Sequence, residues 1–258
     1  MIGFFIKKAF YDGWDHLLSI FVLNLLSLAV IVGGIFLTGL VQDNILAVTG
    51  ILVLIVIILS VIMMATSIVM AGVADYKSFS VRDFFTALKN TWMHGVLYGI
   101  LLCVLYFIFS TGIRYYLAAG GVFGYACAGG LFWIAFAVIL SLQWFLPVRS
   151  QLDTRFFKCL KKSFIICLDN IGFSVFMFFY SIVLLLFSFM LITFLAGLVL
   201  AQNEAFKLRM YKYDWLEQQD SEEFSKLRKS VPWSELIAED MEIVGTRSLR
   251  NLIFPWKD

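Results

Sequence analysis

Five stretches of this chain are too long and too apolar to be left in water, and they constrain the fold more than any motif. They run over Leu17–Leu40, Ile45 to about Val73, Val96–Leu117, a stretch from the AAGG segment to near Pro147, and Ile171 to about Phe206. About 20 apolar residues suffice to cross a bilayer as a helix. Composition agrees: 61% of the 258 residues are apolar and only 15% charged, where soluble domains carry about 25% charged residues. The expectation is an all-α, polytopic membrane bundle. Lys7 and Lys8 precede the first run, but that run is longer than a signal-peptide core and no small-x-small site follows a short one, so it is expected to be retained as a span.

The last run is ambiguous. Its 36 or so residues make either two short helices in a hairpin or one overlong helix, since a crossing needs roughly 17 residues. Charge favours the hairpin. Cytoplasmic flanks are enriched in Lys and Arg. An even number of spans with a cytoplasmic N-terminus leaves 19 of the 20 basic residues on that side. The expected architecture is six spans as three hairpins (residues 1–210) with a cytoplasmic helical tail (211–258) and both termini cytoplasmic. The alternative is five spans with one overlong last helix.

Three segments ahead of apolar runs share a pattern of aliphatic, Lys, polar or Lys, small, aromatic: Ile6-Lys7-Lys8-Ala9-Phe10, Leu88-Lys89-Asn90-Thr91-Trp92 and Leu160-Lys161-Lys162-Ser163-Phe164. Their spacing fits one amphipathic helix plus one two-helix hairpin per unit. An internal repeat would produce this, and so would the general composition of interfacial helices. Either way Lys7, Lys8, Lys89, Lys161 and Lys162 are expected to form basic collars at the cytoplasmic headgroups, with their ammonium groups reaching outward.

Three of these regions resemble the YesL-like bacterial membrane proteins, a family without an established function. They are Leu23-Asn24-Leu25-Leu26, RDFFTALKNTW (82–92) and FLPVRSQLDTRFFKCLKKSFII (145–166), the last with its Phe-x-Pro start at Phe145 and Pro147. The similarity extends in patches over about residues 4–215. It departs where Val32-Gly33-Gly34 and Thr38-Gly39 replace that family's Pro and Thr-Ile-Gly turn, and in the tail beyond Glu217. The resemblance implies a bacterial inner-membrane protein associated with carbohydrate uptake and no defined catalytic residues.

Polar groups at membrane depth are costly and mark candidate sites. Asn24 is expected to bond a neighbouring helix or a solute. Gln143, Arg149, Asn203 and Glu204 fall at the inner ends of spans. There Glu204 would pair with Lys207 along its own helix, or with Arg149 or Arg155 across the bundle. Arg114 reads as an interfacial anchor or an anion-attracting outer group. Gly120, Gly124 and Ala128, at i, i+4 and i+8, form a small-residue face for packing within the chain or between chains. In the tail a helix is expected over Trp233–Ile243, ended by Gly245. Trp233, Leu252, Phe254 and Trp256 are expected to dock on this protein's own interfacial helices, on lipid, or on a partner. No nucleophile–base pair, paired intramembrane carboxylates or HExxH occurs, and the four Cys and two His lack metal-ligand spacing. The expectation is a protein that is not an enzyme and takes no cofactor, metal or nucleic acid. Its partners would be membrane lipids and a membrane protein or a second copy. The leading reading is an accessory or scaffold subunit, the competing one a small-solute transporter.

Overall fold

A computed structural model of the chain describes residues 1–188, 193–219, 230–245 and 247. All regular structure there is helical: α1 (Ile2–Asp15), α2 (Leu17–Leu40), α3 (Ile45–Ala74), α4 (Val81–Ala119), α5 (Gly121–Leu142), α6 (Phe145–Gln151), α7 (Phe156–Asp169), α8 (Ile171–Leu186), α9 (Leu195–Glu217), α10 (Trp233–Leu236) and α11 (Ala238–Val244). Four helical segments are long and apolar enough to cross a membrane: α2, α3, α4, and α5 together with α6. The α7–α8 pair passes the same test only as one segment bent by 104°.

The helix ends follow from local chemistry. Asn44, last residue of the VQDN turn, accepts hydrogen bonds from Leu46 N and Ala47 N, each 3.1 Å long, and so satisfies two donors at the start of α3. Ser80 does the same for Arg82 N in α4. Gly120 and Gly121 turn the chain from α4 into α5 at φ of +66° and +69°, a region that a side chain makes costly. Between α3 and α4 the backbones touch at Gly95 and Gly99. A Cβ on Gly95 would lie 2.5 Å from Val61 Cα, and one on Gly99 2.8 Å from Ile57 Cα. Small residues four apart thus set this contact.

Sequence and structure part company at several points. The second Lys-bearing segment is no separate interfacial helix: it runs straight into the span, making α4 a 39-residue helix of about 58 Å. The run from Ile171 to Phe206 is not one overlong helix, because α8 ends at Leu186 and α9 starts at Leu195. These two are antiparallel. Asn170, at the start of α8, donates to the Tyr213 hydroxyl near the end of α9 at 2.7 Å. The tail helix expected over Trp233–Ile243 is broken at Ile237 into α10 and α11, with Gly245 ending the second. α9 passes residue 210 without interruption, so no structural break separates the expected membrane and tail regions.

The core lies at one end of the bundle. Phe5, Ile20, Met70, Trp144, Phe145, Met177, Val199 and Phe206 are all buried there. α9 runs through its middle, with nearly every residue from Ala196 to Arg209 buried. At the opposite end side chains such as Tyr106, Phe107, Val122, Phe123 and Trp133 are mostly exposed, the expected lipid-facing pattern.

Candidate functional site

The polar sequence Gln202-Asn203-Glu204 sits on α9 at the centre of this core, and two buried networks start from it. The first is ionic. Lys8 Nζ lies 2.6 Å from Asp12 Oδ2, one helical turn on, and 3.0 Å from Glu204 Oε2. It also donates to Ala74 O at 3.2 Å and sits 4.1 Å from the centre of the Tyr76 ring. Lys8 and Glu204 are fully buried and Asp12 nearly so. Burial alone would push the Lys8 ammonium down. The Glu204 and Asp12 carboxylates outweigh it and hold it above its ordinary value.

The second network is neutral. Asn203 Nδ2 donates to Ser67 Oγ at 3.1 Å and Val199 O at 2.8 Å. Asn203 Oδ1 accepts from Gln151 Nε2 at 2.8 Å and from Ser150 Oγ at 2.9 Å. It joins α3, α6 and α9. Over it opens a polar cavity of about 610 Å³, bordered by Asp75, Asp83, Gln151, Lys207, Tyr211 and Asp214. Further along α9, Lys212 Nζ reaches Asp169 Oδ2 at 2.8 Å, and the Arg209 guanidinium lies 3.9 Å from the Phe173 ring centre.

The tail closes on this end. Tyr76 and Tyr211 both donate their hydroxyls to the Asp240 carboxylate, at 2.7 and 3.1 Å. Burial, and then Asp240 itself, push both phenols up, so both stay protonated as donors. Tyr76 holds φ at 58°, a strained setting for a residue with a side chain. It does so with Lys8 against its ring and Asp240 on its hydroxyl. Lys7 Nζ donates to Gly245 O at 2.7 Å, and Arg247 pairs with Asp15 at 2.5 Å.

Several site expectations are thereby corrected. Lys8 belongs to no outward collar: α1 turns Lys8 and Asp12 inward and presents Ile2, Ile6, Phe10 and Trp14 outward. Lys7 is engaged by the tail, Lys162 pairs with Asp153 at 3.0 Å, and Lys89 and Lys161 are exposed. Glu204 pairs with neither Lys207, Arg149 nor Arg155. Lys207 takes Asp75 at 3.2 Å, and Arg149 takes His94 Nδ1 at 3.3 Å. Gln143 is separate again, donating to Leu140 O and Ser174 O. The four inner-end residues therefore do not form one cluster.

Asn24 bonds a neighbouring helix in a specific way: its Oδ1 accepts from Ala196 N at 2.7 Å. α9 has no side-chain cap of its own, so a residue of α2 supplies it. Gly124 packs inside the chain, where a Cβ would meet Tyr116 O at 2.6 Å. Gly120 forms the turn, and Ala128 is buried. Trp233 lies 5.2 Å from the Arg209 guanidinium, while Leu252, Phe254 and Trp256 fall outside the described residues. Sequence reasoning missed Asp12, Ser67 and Ser150. Only the Lys8–Asp12 spacing of four carried a signal. Among the described residues no three His, Cys, Asp or Glu side chains are grouped to hold a metal ion. No protein-family model, curated protein or solved structure matches the chain.

Proposed function

We propose that this chain is a non-catalytic accessory or scaffold subunit of a membrane assembly. One observation carries the reading: the carboxylates and ammonium groups buried at the packed end, in Lys8, Asp12, Glu204, Lys212 and Asp240, are all bonded inside the molecule. Transport sites hold polar groups ready for a solute or coupling ion near the midplane. Here those charged groups hold helices to one another, while Gln202 Oε1 and Arg209 Nε are the buried polar atoms of α9 outside the ion pairs that lack a hydrogen-bond partner among the described residues. The resemblance to the YesL-like family adds a bacterial inner membrane and an assembly serving carbohydrate uptake.

The topology that goes with this role has four full crossings, α2 to α5, and both termini in the cytosol. The α8–α9 pair is then a third hairpin that leaves the cytoplasmic side and returns to it. α9 starts at the depth of Asn24, seven residues or about 10 Å into α2, where Ala196 N meets Asn24 Oδ1. A sixfold crossing would need the hairpin's turn to reach the far headgroups, whereas the even parity holds at either depth.

Affinity purification in mild detergent with mass spectrometry tests the role. A second membrane protein held in fixed ratio is expected, and deleting 246–258 is expected to release it. A chain that purifies alone and shows a saturable thermal shift with a small solute would establish the transporter instead. Periplasmic labelling of a cysteine placed at Asp214 would overturn the topology.

A further inference from the structure

Two cavities adjoin along α1, sharing the Phe10 and Tyr180 walls, and their chemistry differs in a way that matches one class of molecule. The first, about 470 Å³, is bordered by Gly3, Ile6, Lys7, Tyr11 and Arg247. The second, about 380 Å³, is almost wholly apolar and is bordered by Trp14, Ile20, Leu184, Phe187 and Leu200. Phe10 and Tyr180 border both, so the hollows lie end to end along successive turns of the helix. They open beside the exposed stripe of Ile2, Ile6, Phe10 and Trp14. A hydroxyl also lines the apolar hollow. The Thr193 hydroxyl is buried and has no hydrogen-bond partner among the described residues.

We infer that these adjoining hollows bind one anionic phospholipid, its phosphate between Lys7 and Arg247 and an acyl chain along Trp14, Leu184 and Leu200. Each cation already has one partner, Gly245 O for Lys7 and Asp15 for Arg247. An ammonium has three donors and a guanidinium five, so both keep donors for a phosphate. The two cations and Asp15 leave a net positive charge at the mouth. A bare phosphate between the two cations would leave the apolar hollow empty, whereas an acyl chain fills it. The Thr193 hydroxyl suits an ester carbonyl, of which a diacyl lipid carries two between its phosphate and its chains.

The test uses the full chain in detergent under native mass spectrometry. It is titrated with phosphatidylglycerol, with phosphatidylcholine of the same acyl chains, and with inorganic phosphate. A basic residue near anionic lipid changes affinity about five-fold, so Lys7→Gln with Arg247→Gln is expected to erase roughly 25-fold of the preference for phosphatidylglycerol. Gly13 lines the apolar hollow, and a Cβ there meets nothing closer than 3.7 Å. Gly13→Leu should therefore project into the hollow, weakening both lipids alike and leaving their ratio unchanged. Equal binding of the two lipids by the unaltered chain would overturn the inference, as would a double variant that keeps the preference. Inorganic phosphate displacing phosphatidylglycerol at matched concentration would replace the lipid with a free-anion site. Should the double variant fail to fold, Arg247→Gln alone, at a half-exposed side chain, must still lose about five-fold. No loss there also overturns the inference.

Discussion

Replacing Lys8 by Met should damage this protein more than any other single change at the packed end. Lys8 Nζ faces Glu204 at 3.0 Å and Asp12 at 2.6 Å, with no solvent at Lys8 or Glu204. At an effective dielectric of about 20, each contact is worth roughly 6 kcal/mol of gross attraction. Removing three charges from water offsets most of that. The net value of the trio is therefore small, but its balance is not. Lys8→Met leaves two carboxyl groups buried together without a cation, and the lost pairing is expected to cost about 3–5 kcal/mol even where Glu204 takes up a proton. Glu204→Gln keeps the Lys8–Asp12 pair and should cost only about 1–2 kcal/mol. Adding Asp12→Asn and Glu204→Gln to Lys8→Met removes every charge at once and should recover most of the loss. Unfolding of the purified protein in mixed micelles of rising denaturing-detergent fraction measures all three. If Lys8→Met costs under about 1 kcal/mol, or the triple variant is no better than the single one, the reasoning from uncompensated buried charge fails.

Other changes probe separate contacts. Gly99→Ala places a methyl 2.8 Å from Ile57 Cα and should cost about 1–3 kcal/mol by forcing α3 and α4 apart, seen as a lower melting temperature. Asn24→Leu leaves Ala196 N without its acceptor and should cost about 1–3 kcal/mol in the same assay. Asp240→Asn weakens two tyrosine hydrogen bonds to a buried carboxylate and should speed proteolytic cleavage beyond Glu217, while leaving the membrane part resistant. Asp153 is held down to about 2 by the Arg155 amide, with Lys162 assisting. A carboxyl depressed on folding stabilises above its unfolded value and loses that contribution as pH falls through the folded one. Stability from this group should therefore be constant from pH 8 to about 5 and decline between about 4 and 2. Asp153→Asn should flatten that decline in a pH series of thermal melts.

The spans were legible because a charge-free run of 20 or more residues has few other fates, and α2 and α3 match their expected bounds closely. Lys8 was misread for a physical reason. Interfacial helices in general send Lys outward, and α1 carries the Phe and Trp expected of one. Nothing local says that Phe5, Lys8, Ala9 and Asp12 form the face turned toward α9. That face is the inner one because Glu204, 196 residues away, lies opposite Lys8 and the Phe173, Phe176 and Tyr180 rings of α8 lie against Phe5. Asn24 was visible as an anomaly in an apolar helix, but its partner is a backbone amide, which no sequence pattern singles out. Gly95 and Gly99 carry no sequence signal beyond their spacing of four, which Gly120 and Gly124 share. The tight approach of α3 to α4 lies where a single pair of glycines faces Val61 and Ile57.

Among the described residues, the helix at the centre of the packed end is also the last long one in chain order. Until α9 arrives, Lys8, Asn24, Ser67 and Gln151 have none of their α9 partners, and the earlier helices must wait in the bilayer around an unfilled slot. Biogenesis of this protein is therefore completed only after synthesis has passed residue 204. A nascent chain arrested earlier would lack every one of these contacts.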